Sequence, residues 1–263
     1  MLEQQSGNLI ATNISKHFGG VRAVDDLSFE IPPGIVCGLI GPNGSGKTTT
    51  LNLITGTLQL TSGTVRYNGQ QINGLKRHEI VRRGISRTFQ NLRLFSSLSA
   101  LDHVILGRYI HCKTPLIPSL LGVRSAVKED TEAEEKARHY LNMVGLSGYE
   151  DVVPHELPYG KRKLLEVARA LSTEAACLCL DEPAAGMSEG EIDSLINLIG
   201  QLKKQGITIM LIEHRMTLVM TVCDRIVVLN YGKKIAEGDP QTVSNDPLVI
   251  QAYLGRRRGG RTQ

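Results

Sequence analysis

The apolar and polar positions change rhythm three times along the chain. Residues 9–17 mix β-branched and polar types and close at Phe18-Gly19-Gly20. Leu27-Ser28-Phe29-Glu30-Ile31 alternates apolar and polar, as a half-buried strand does. After the turn signal Pro32-Pro33-Gly34 comes an apolar run, residues 35–40, of strand length. Residues 48–55 then have helical character and no proline. Residues 63–67 read as a further strand, and Asn68-Gly69 after them is a hairpin signal. The first third therefore predicts an antiparallel β layer around a strand–loop–helix unit.

From residue 91 to 156 the character turns helical. Residues 98–109 form a candidate helix, Thr114-Pro115-Leu116-Ile117-Pro118 breaks the pattern, and residues 126–144 form a longer helix. Ala133, Ala137, Leu141 and Val144 fall on one face of that helix. Glu132–Lys136 and Glu134–Arg138 are favourable i,i+4 pairs, and Gly145 stops it. Strand and helix patterns then alternate: helix 161–171 with Leu164, Ala168 and Leu171 inward, strand 177–180, helix 189–205, strand 207–212. Strands 225–230 and 234–237 follow around Tyr231-Gly232, with a short helical tail at 240–253. Such alternation implies parallel pairing. The helical region reads as a subdomain inserted into an α/β core.

Composition narrows the classes. The chain has 263 residues, 41% of them hydrophobic, enough for a sizeable core. Aromatics are 4% and Trp is absent, which argues against a stacking-based nucleic-acid binder. The net charge is +4, partly from Arg256, Arg257, Arg258 and Arg261, which read as a solvated end. Five cysteines (Cys37, Cys112, Cys177, Cys179, Cys223) lack zinc spacing and fit a reducing compartment. No run approaches about 18 apolar residues, so no membrane span is expected, and residues 1–7 lack the apolar stretch of a signal peptide.

The chemistry centres on Gly41-Pro42-Asn43-Gly44-Ser45-Gly46-Lys47-Thr48, which matches G-x-x-x-x-G-K-[ST]. It stands between the 35–40 strand and the helix that carries Thr49. A strand, a glycine loop and a helix N-terminus make an anion site, because N–H groups point inward and the helix dipole favours negative charge. Lys47 is placed for the β- and γ-phosphates and the Thr48 hydroxyl for Mg²⁺. Asp181-Glu182 ends an apolar strand downstream, where a metal-site acid and a water-polarising acid belong. His214 follows the next strand and is placed to touch the γ-phosphate. Gln90 ends the core before the helical insert, and its amide oxygen is a candidate Mg²⁺ ligand.

Taken in order, these pieces resemble the ATP-binding subunits of ABC transporters over almost the whole chain. The resemblance implies a P-loop NTPase of ABC type, with a RecA-like α/β core, an N-terminal antiparallel β layer and an inserted helical subdomain. It implies core segments 8–90 and 172–240, a helical subdomain with its signature loop at 91–171, and a tail at 241–263. It makes Phe18 the aromatic that stacks on adenine, Gly41–Thr48 Walker A, Gln90 the Q-loop, residues 177–181 Walker B, Glu182 the catalytic base and His214 the switch histidine. ATP and Mg²⁺ are the implied substrate and metal.

Two stretches depart from the family pattern. The signature loop, usually Leu-Ser-Gly-Gly-Gln, reads Leu157-Pro158-Tyr159-Gly160-Lys161, so Pro158 lacks the serine's hydrogen bond. Tyr159, Gly160 and the helix beginning near Lys161 remain to contact a nucleotide across a dimer. The D-loop, usually Ser-Ala-Leu-Asp, reads Ala185-Gly186-Met187-Ser188. Pairing with a second, non-identical ATPase follows from these departures. Arg87 to Phe95, the insert with residues 116–121, Tyr159-Gly160, residues 182–187 and the tail 246–255 are similar to one branch. It is the LivG type, from high-affinity branched-chain amino acid importers. That branch implies two permeases, two different ATPases, an external (periplasmic) solute-binding protein acting indirectly, no nucleic acid, and a peripheral place on the cytoplasmic face of the plasma membrane. Related importers for urea or amides, and soluble ABC-type ATPases, share much of this plan.

Overall fold

The structure, a computed structural model, describes residues 7–88, 92, 94–111 and 124–254. Its centre is β3 (Val36–Ile40), all of it buried. The strand lies between β8 (Thr208–Ile212) and β9 (Arg225–Asn230), both parallel to it. The six-stranded sheet runs β10-β9-β3-β8-β7-β6, with β7 (Cys177–Asp181) and β6 (Ile85–Arg87) also parallel, and β10 (Lys233–Gly238) antiparallel at one edge. Strands buried on both faces read as continuous apolar runs, which is why β3, β7 and β8 stand out in the sequence.

A second sheet is antiparallel throughout. Its order is β2-β1-β4-β5, from β1 (Leu9–Phe18), β2 (Val21–Ile31), β4 (Ser62–Tyr67) and β5 (Gln70–Gln71). Asn68 at φ 49° and Gly69 at φ 76° turn β4 into β5, the two-residue hairpin that this dipeptide favours.

Helix α1 (Lys47–Ile54) joins the two sheets. Leu51, Leu53 and Ile54 share one core with Leu9, Ile14 and Leu27 of the antiparallel sheet and with Cys37, Leu39, Cys179 and Met210 of the parallel one. The alternate residues, Val36, Ile40, Leu178, Leu180, Ile209 and Leu211, face a second core built with helices. Period-two alternation thus gives one strand two partners, one on each face.

The other helices are α2 (Arg77–Arg82), α3 (Ala100–Arg108), α4 (Arg124–Met143), α5 (Tyr159–Leu171), α6 (Glu189–Lys204), α7 (Met216–Val222), α8 (Pro240–Ser244) and α9 (Pro247–Leu254). Helices α3, α4 and α5 pack on one another. Ala133, Ala137, Leu141 and Val144 are buried there, as their spacing predicts. Glu134 pairs with Arg138 at 2.8 Å, whereas Lys136 reaches Glu174 at 2.5 Å, joined on the same oxygen by Arg108 at 2.7 Å. Burial raises the Glu174 carboxyl, and the two cations outweigh it and hold the group below its ordinary range.

Helix α3 opens with a reciprocal cap: Ser99 accepts from the Asp102 N–H, and Asp102 accepts from the Ser99 N–H. The fully buried His103 pins the preceding segment. Its Nδ1 lies 2.8 Å from Ser99 O, and its Nε2 accepts from the Phe95 N–H at 2.8 Å.

Several elements differ from the sequence expectation. Helix α5 begins at Tyr159, not near Lys161, with Pro158 at φ −53° as its N-cap. Residues 240–253 hold two helices, parted at Asn245-Asp246. Helix α2, the three-residue β6 and the apolar α7 are too short for a repeating pattern to show. Cys37, Cys177, Cys179 and Cys223 are buried free thiols. Burial pushes the Cys223 thiol up to about 12. No helix among the described residues is long and apolar enough to cross a membrane. Gln90, Cys112, residues 116–121 and the four tail arginines lie outside the described residues.

Candidate nucleotide-binding and hydrolysis site

In a parallel sheet the strands end at one edge, and that edge is where ligands bind. Here β3 delivers Gly41, β6 delivers Arg87, β7 delivers Asp181 and β8 delivers Glu213 and His214 to the same side.

The loop from Gly41 to Gly46 follows a path that side chains resist. Gly41 has φ +148°, and a Cβ there would lie 2.1 Å from Leu229 O. Gly46 has φ +105°, and its Cβ would meet Ala23 O at 2.4 Å. Both positions therefore require glycine. Lys47 is buried, and its Nζ donates to Gly41 O at 2.8 Å and Pro42 O at 3.0 Å. The ammonium is thereby folded back over the loop. Helix α1 has Gly46 as N-cap, no side-chain cap and no acid in its first turn, so its N-terminal dipole meets no competing carboxylate there. Thr48 is exposed and Thr49 is half-buried on that turn.

The loop is braced from two sides. Gly232, in the β9–β10 turn, donates to Ser45 O at 3.0 Å, and its own carbonyl accepts from the Asp25 N–H of β2 at 2.9 Å. Tyr253 of α9 packs against the helix-side core. Burial pushes its phenol up to about 12, opposed by a backbone hydrogen bond from Gly41.

Asp181 is 1% exposed. Its Oδ2 accepts from Arg87 Nη2 at 2.7 Å, and its N–H donates to Thr88 Oγ1 at 3.2 Å. Arg87 also donates to Asn52 Oδ1 of α1 at 2.6 Å. Asp181 Oδ1 is buried with no hydrogen-bond partner among the described residues. An orphaned carboxylate oxygen beside a phosphate loop fits a hard divalent cation.

Glu182 sits next, at φ +50°, a conformation rare for a residue with a side chain. Its Oε1 lies 2.6 Å from His214 Nε2. Glu213 is buried, and its carboxylate accepts the N–H groups of Ala184, His214 and Arg215 at 2.7, 3.0 and 3.4 Å.

Other candidate residues stand apart. Phe18 is 47% exposed at the end of β1, with Lys16 Nζ 5.1 Å from its ring centroid. Tyr159 and Gly160 open α5 and pack within this same chain. A Cβ on Gly186 would lie 2.8 Å from Tyr159 Cε1, and a Cβ on Gly160 would lie 2.0 Å from Glu191 Oε1.

Arg87 and Glu213 take part in the site but carry no motif of their own. The signal for Glu213 was an acid placed directly after a buried, mostly apolar strand. Arg87 had none, because its pairing with Asp181 is tertiary.

Residues 24–185 match the family described as ABC transporter. The chain belongs to the ABC transporter family. It is an ABC-type ATPase, and cassettes of this family bind nucleotide. Residues 233–258 match a second family, described as branched-chain amino acid ATP-binding cassette transporter. The chain is similar to the high-affinity branched-chain amino acid transport ATP-binding protein BraF of Pseudomonas aeruginosa. They are 40% identical over 248 residues, which cover 94% of this chain and 97% of that one. LivG of Escherichia coli, of the same description, is 39% identical with the same coverage. Among solved structures, the ADP conformation of an ATP-binding cassette of an ABC transporter superimposes with a TM-score of 0.82 at 35% identity, covering 95% of this chain and 99% of that one.

Proposed function

We propose that this ABC ATPase drives an importer for branched-chain amino acids from the cytoplasmic face of the plasma membrane. The observation that carries the chemistry is the 2.6 Å contact between Glu182 and His214 at the sheet edge that bears the P-loop. The solute class rests on the names of the relatives and on the match at residues 233–258.

In this reading the loop from Gly41 through Pro42, Asn43, Gly44, Ser45 and Gly46 wraps the phosphates with its N–H groups. Lys47 turns from its own loop carbonyls to the β- and γ-phosphates, Thr49 lines the same turn, and Phe18 offers its open ring face to adenine. Asp181, Thr48 and Gln90 would hold Mg²⁺, which would spread the charge that builds on the phosphoryl oxygens. Glu182 accepts a proton from water as its oxygen bonds to the γ-phosphorus, and the bond to the β–γ bridging oxygen breaks. The products are ADP and phosphate. His214 orients Glu182 and the water.

Residues 8–90 and 172–240 form the ATPase core, 91–171 the helical subdomain that meets the permeases, and 241–263 the tail. Tyr159 and Gly160 face nucleotide held by a second ATPase. The absence of a signature serine and of a D-loop aspartate supports a non-identical partner, with two permeases and an external binding protein completing the system.

The test is capture of tagged Glu182→Gln protein from native membranes in Mg-ATP, followed by uptake assays on the recovered assembly. Recovery of two permeases and a second ATPase, with leucine-class uptake, is the expected result. Ribosomes, or no membrane protein, would overturn the importer, and urea or amide uptake would overturn the solute class.

A further inference from the structure

Glu182 and His214 stand on different strands, and neither is held by packing alone. His214 is exposed, and Glu182 lies in the left-handed region at φ +50°. Something must keep a non-glycine residue in that conformation. The residues after Glu182 form a tight turn in which the Ala185 N–H donates to Glu182 O at 3.3 Å, and the Glu182 N–H donates across to Ile212 O at 2.9 Å.

One buried side chain ties this turn to the next. Glu213 Oε1 accepts from the Ala184 N–H, inside the Glu182 turn, at 2.7 Å. Its Oε2 accepts from the N–H groups of His214 at 3.0 Å and Arg215 at 3.4 Å. Both oxygens of a 4% exposed carboxylate are thus spent on backbone, one on each loop. Arg215 then donates to Glu189 Oε1 at 2.6 Å, fastening the same loop to the start of α6.

We infer that Glu213 is a positioning residue for hydrolysis, the clamp that sets the distance between Glu182 and His214. The inference rests on the ATPase reading of that pair. Its carboxylate acts through the backbone it holds, the Ala184 N–H on one loop and the His214 N–H on the other. Its carboxylate is an acceptor-only fork, and no neutral side chain of its size offers two acceptors back to back. An amide at this position can serve one loop and must turn its NH₂ toward the N–H groups of the other.

The test compares Glu213→Ala, Glu213→Gln, Glu182→Gln and the parent, each assembled with its partner subunits. Nucleotide affinity, steady-state hydrolysis and amide exchange at Ala184 and His214 are measured. Misplacing reacting groups by a fraction of an ångström is costly, so kcat should fall by about a hundredfold in Glu213→Ala and about tenfold in Glu213→Gln. Mg-ATP affinity should stay within about threefold, because the phosphate loop is untouched. Protection of the Ala184 and His214 amides should drop in both variants. Should Glu213→Ala fail to fold, the Gln variant decides. Parent-like kcat in folded Glu213→Gln, beside an inactive Glu182→Gln, overturns the clamp alone. Parent-like kcat in Glu182→Gln would instead overturn the hydrolytic reading on which it rests.

Discussion

His214 Nε2 and Glu182 Oε1 lie 2.6 Å apart although 32 positions separate them in the chain. Adjacent parallel strands make that meeting possible, since Asp181 is in register with Ile212 and each strand overshoots by a residue or two into the same edge. Replacing Glu182 with Gln keeps the shape and removes the proposed base. Hydrolysis should slow by at least about a hundredfold, with Mg-ATP binding intact. Turnover close to the parent's would take Glu182 out of the mechanism.

Gly41 should tolerate no side chain. Its φ of +148° and the 2.1 Å approach to Leu229 O leave a methyl group no room, and backbone cannot yield as a side-chain tip can. Gly41→Ala should cost at least about 1–3 kcal/mol in urea denaturation and abolish ATP binding. Gly19, at φ +55° with nothing within 4 Å, is the matched control. Gly19→Ala should cost no more than about 1 kcal/mol and leave binding unchanged. Equal losses at both sites would mean that φ, not the approach to Leu229, governs.

Arg87 and Asp181 form a buried pair, with side chains 9% and 1% exposed. Arg87→Met leaves the buried Asp181 carboxylate without that cation. Breaking such a pair from one side costs about 3–5 kcal/mol, to be read from the shift in denaturant midpoint. An Asp181→Asn, Arg87→Met double variant should recover part of the loss. No recovery would mean that Arg87 acts through Asn52 rather than through Asp181.

His103 should make stability fall in acid. Burial holds its imidazole below the usual range, chiefly by penalising the charged form. Its Nδ1 meets the Ser99 carbonyl and so carries the proton, while Nε2 accepts from the Phe95 N–H and has no place for a second proton. The unfolded chain therefore binds the proton more readily. The contribution is complete above the unfolded value of about 6.5 and is lost as pH drops through the folded one. Melting temperatures between pH 8 and 5 should decline more steeply in the parent than in His103→Asn. Parallel slopes would exclude His103 as the source.

The strands of the parallel sheet were legible because burial on both faces leaves an unbroken apolar run, as in Cys177-Leu178-Cys179-Leu180. The hairpin at Asn68-Gly69 was legible because its dihedral angles admit few residue types. The phosphate loop announces itself for the same reason, through the glycines that its close approaches demand. What stayed hidden depends on neighbours remote in sequence. Lys136 had a suitable partner one turn away and went instead to Glu174, which nothing local could disclose. The roles of Arg87 and Glu213 are set by β6–β7 and β7–β8 adjacency, and the strand order of the sheet is not written in any one stretch. Helix α5 starting at Tyr159 follows from the preset φ of Pro158, a start signal placed one position ahead of the helix.

Strand β3 is completed early in synthesis, yet both its sheet neighbours, β8 and β9, and the Gly232 brace on Ser45 come from the last quarter of the chain. While the ribosome is making the residues between, β3 has two unsatisfied edges, and the phosphate loop lacks the hairpin that steadies it. The antiparallel sheet, whose strands are all made within the first 71 residues, can close during that interval. Long-range parallel pairing is slow and leaves apolar edges open to other chains. A nascent chain released before residue 232 therefore carries every residue from Gly41 to Thr48 and lacks the turn that braces Ser45.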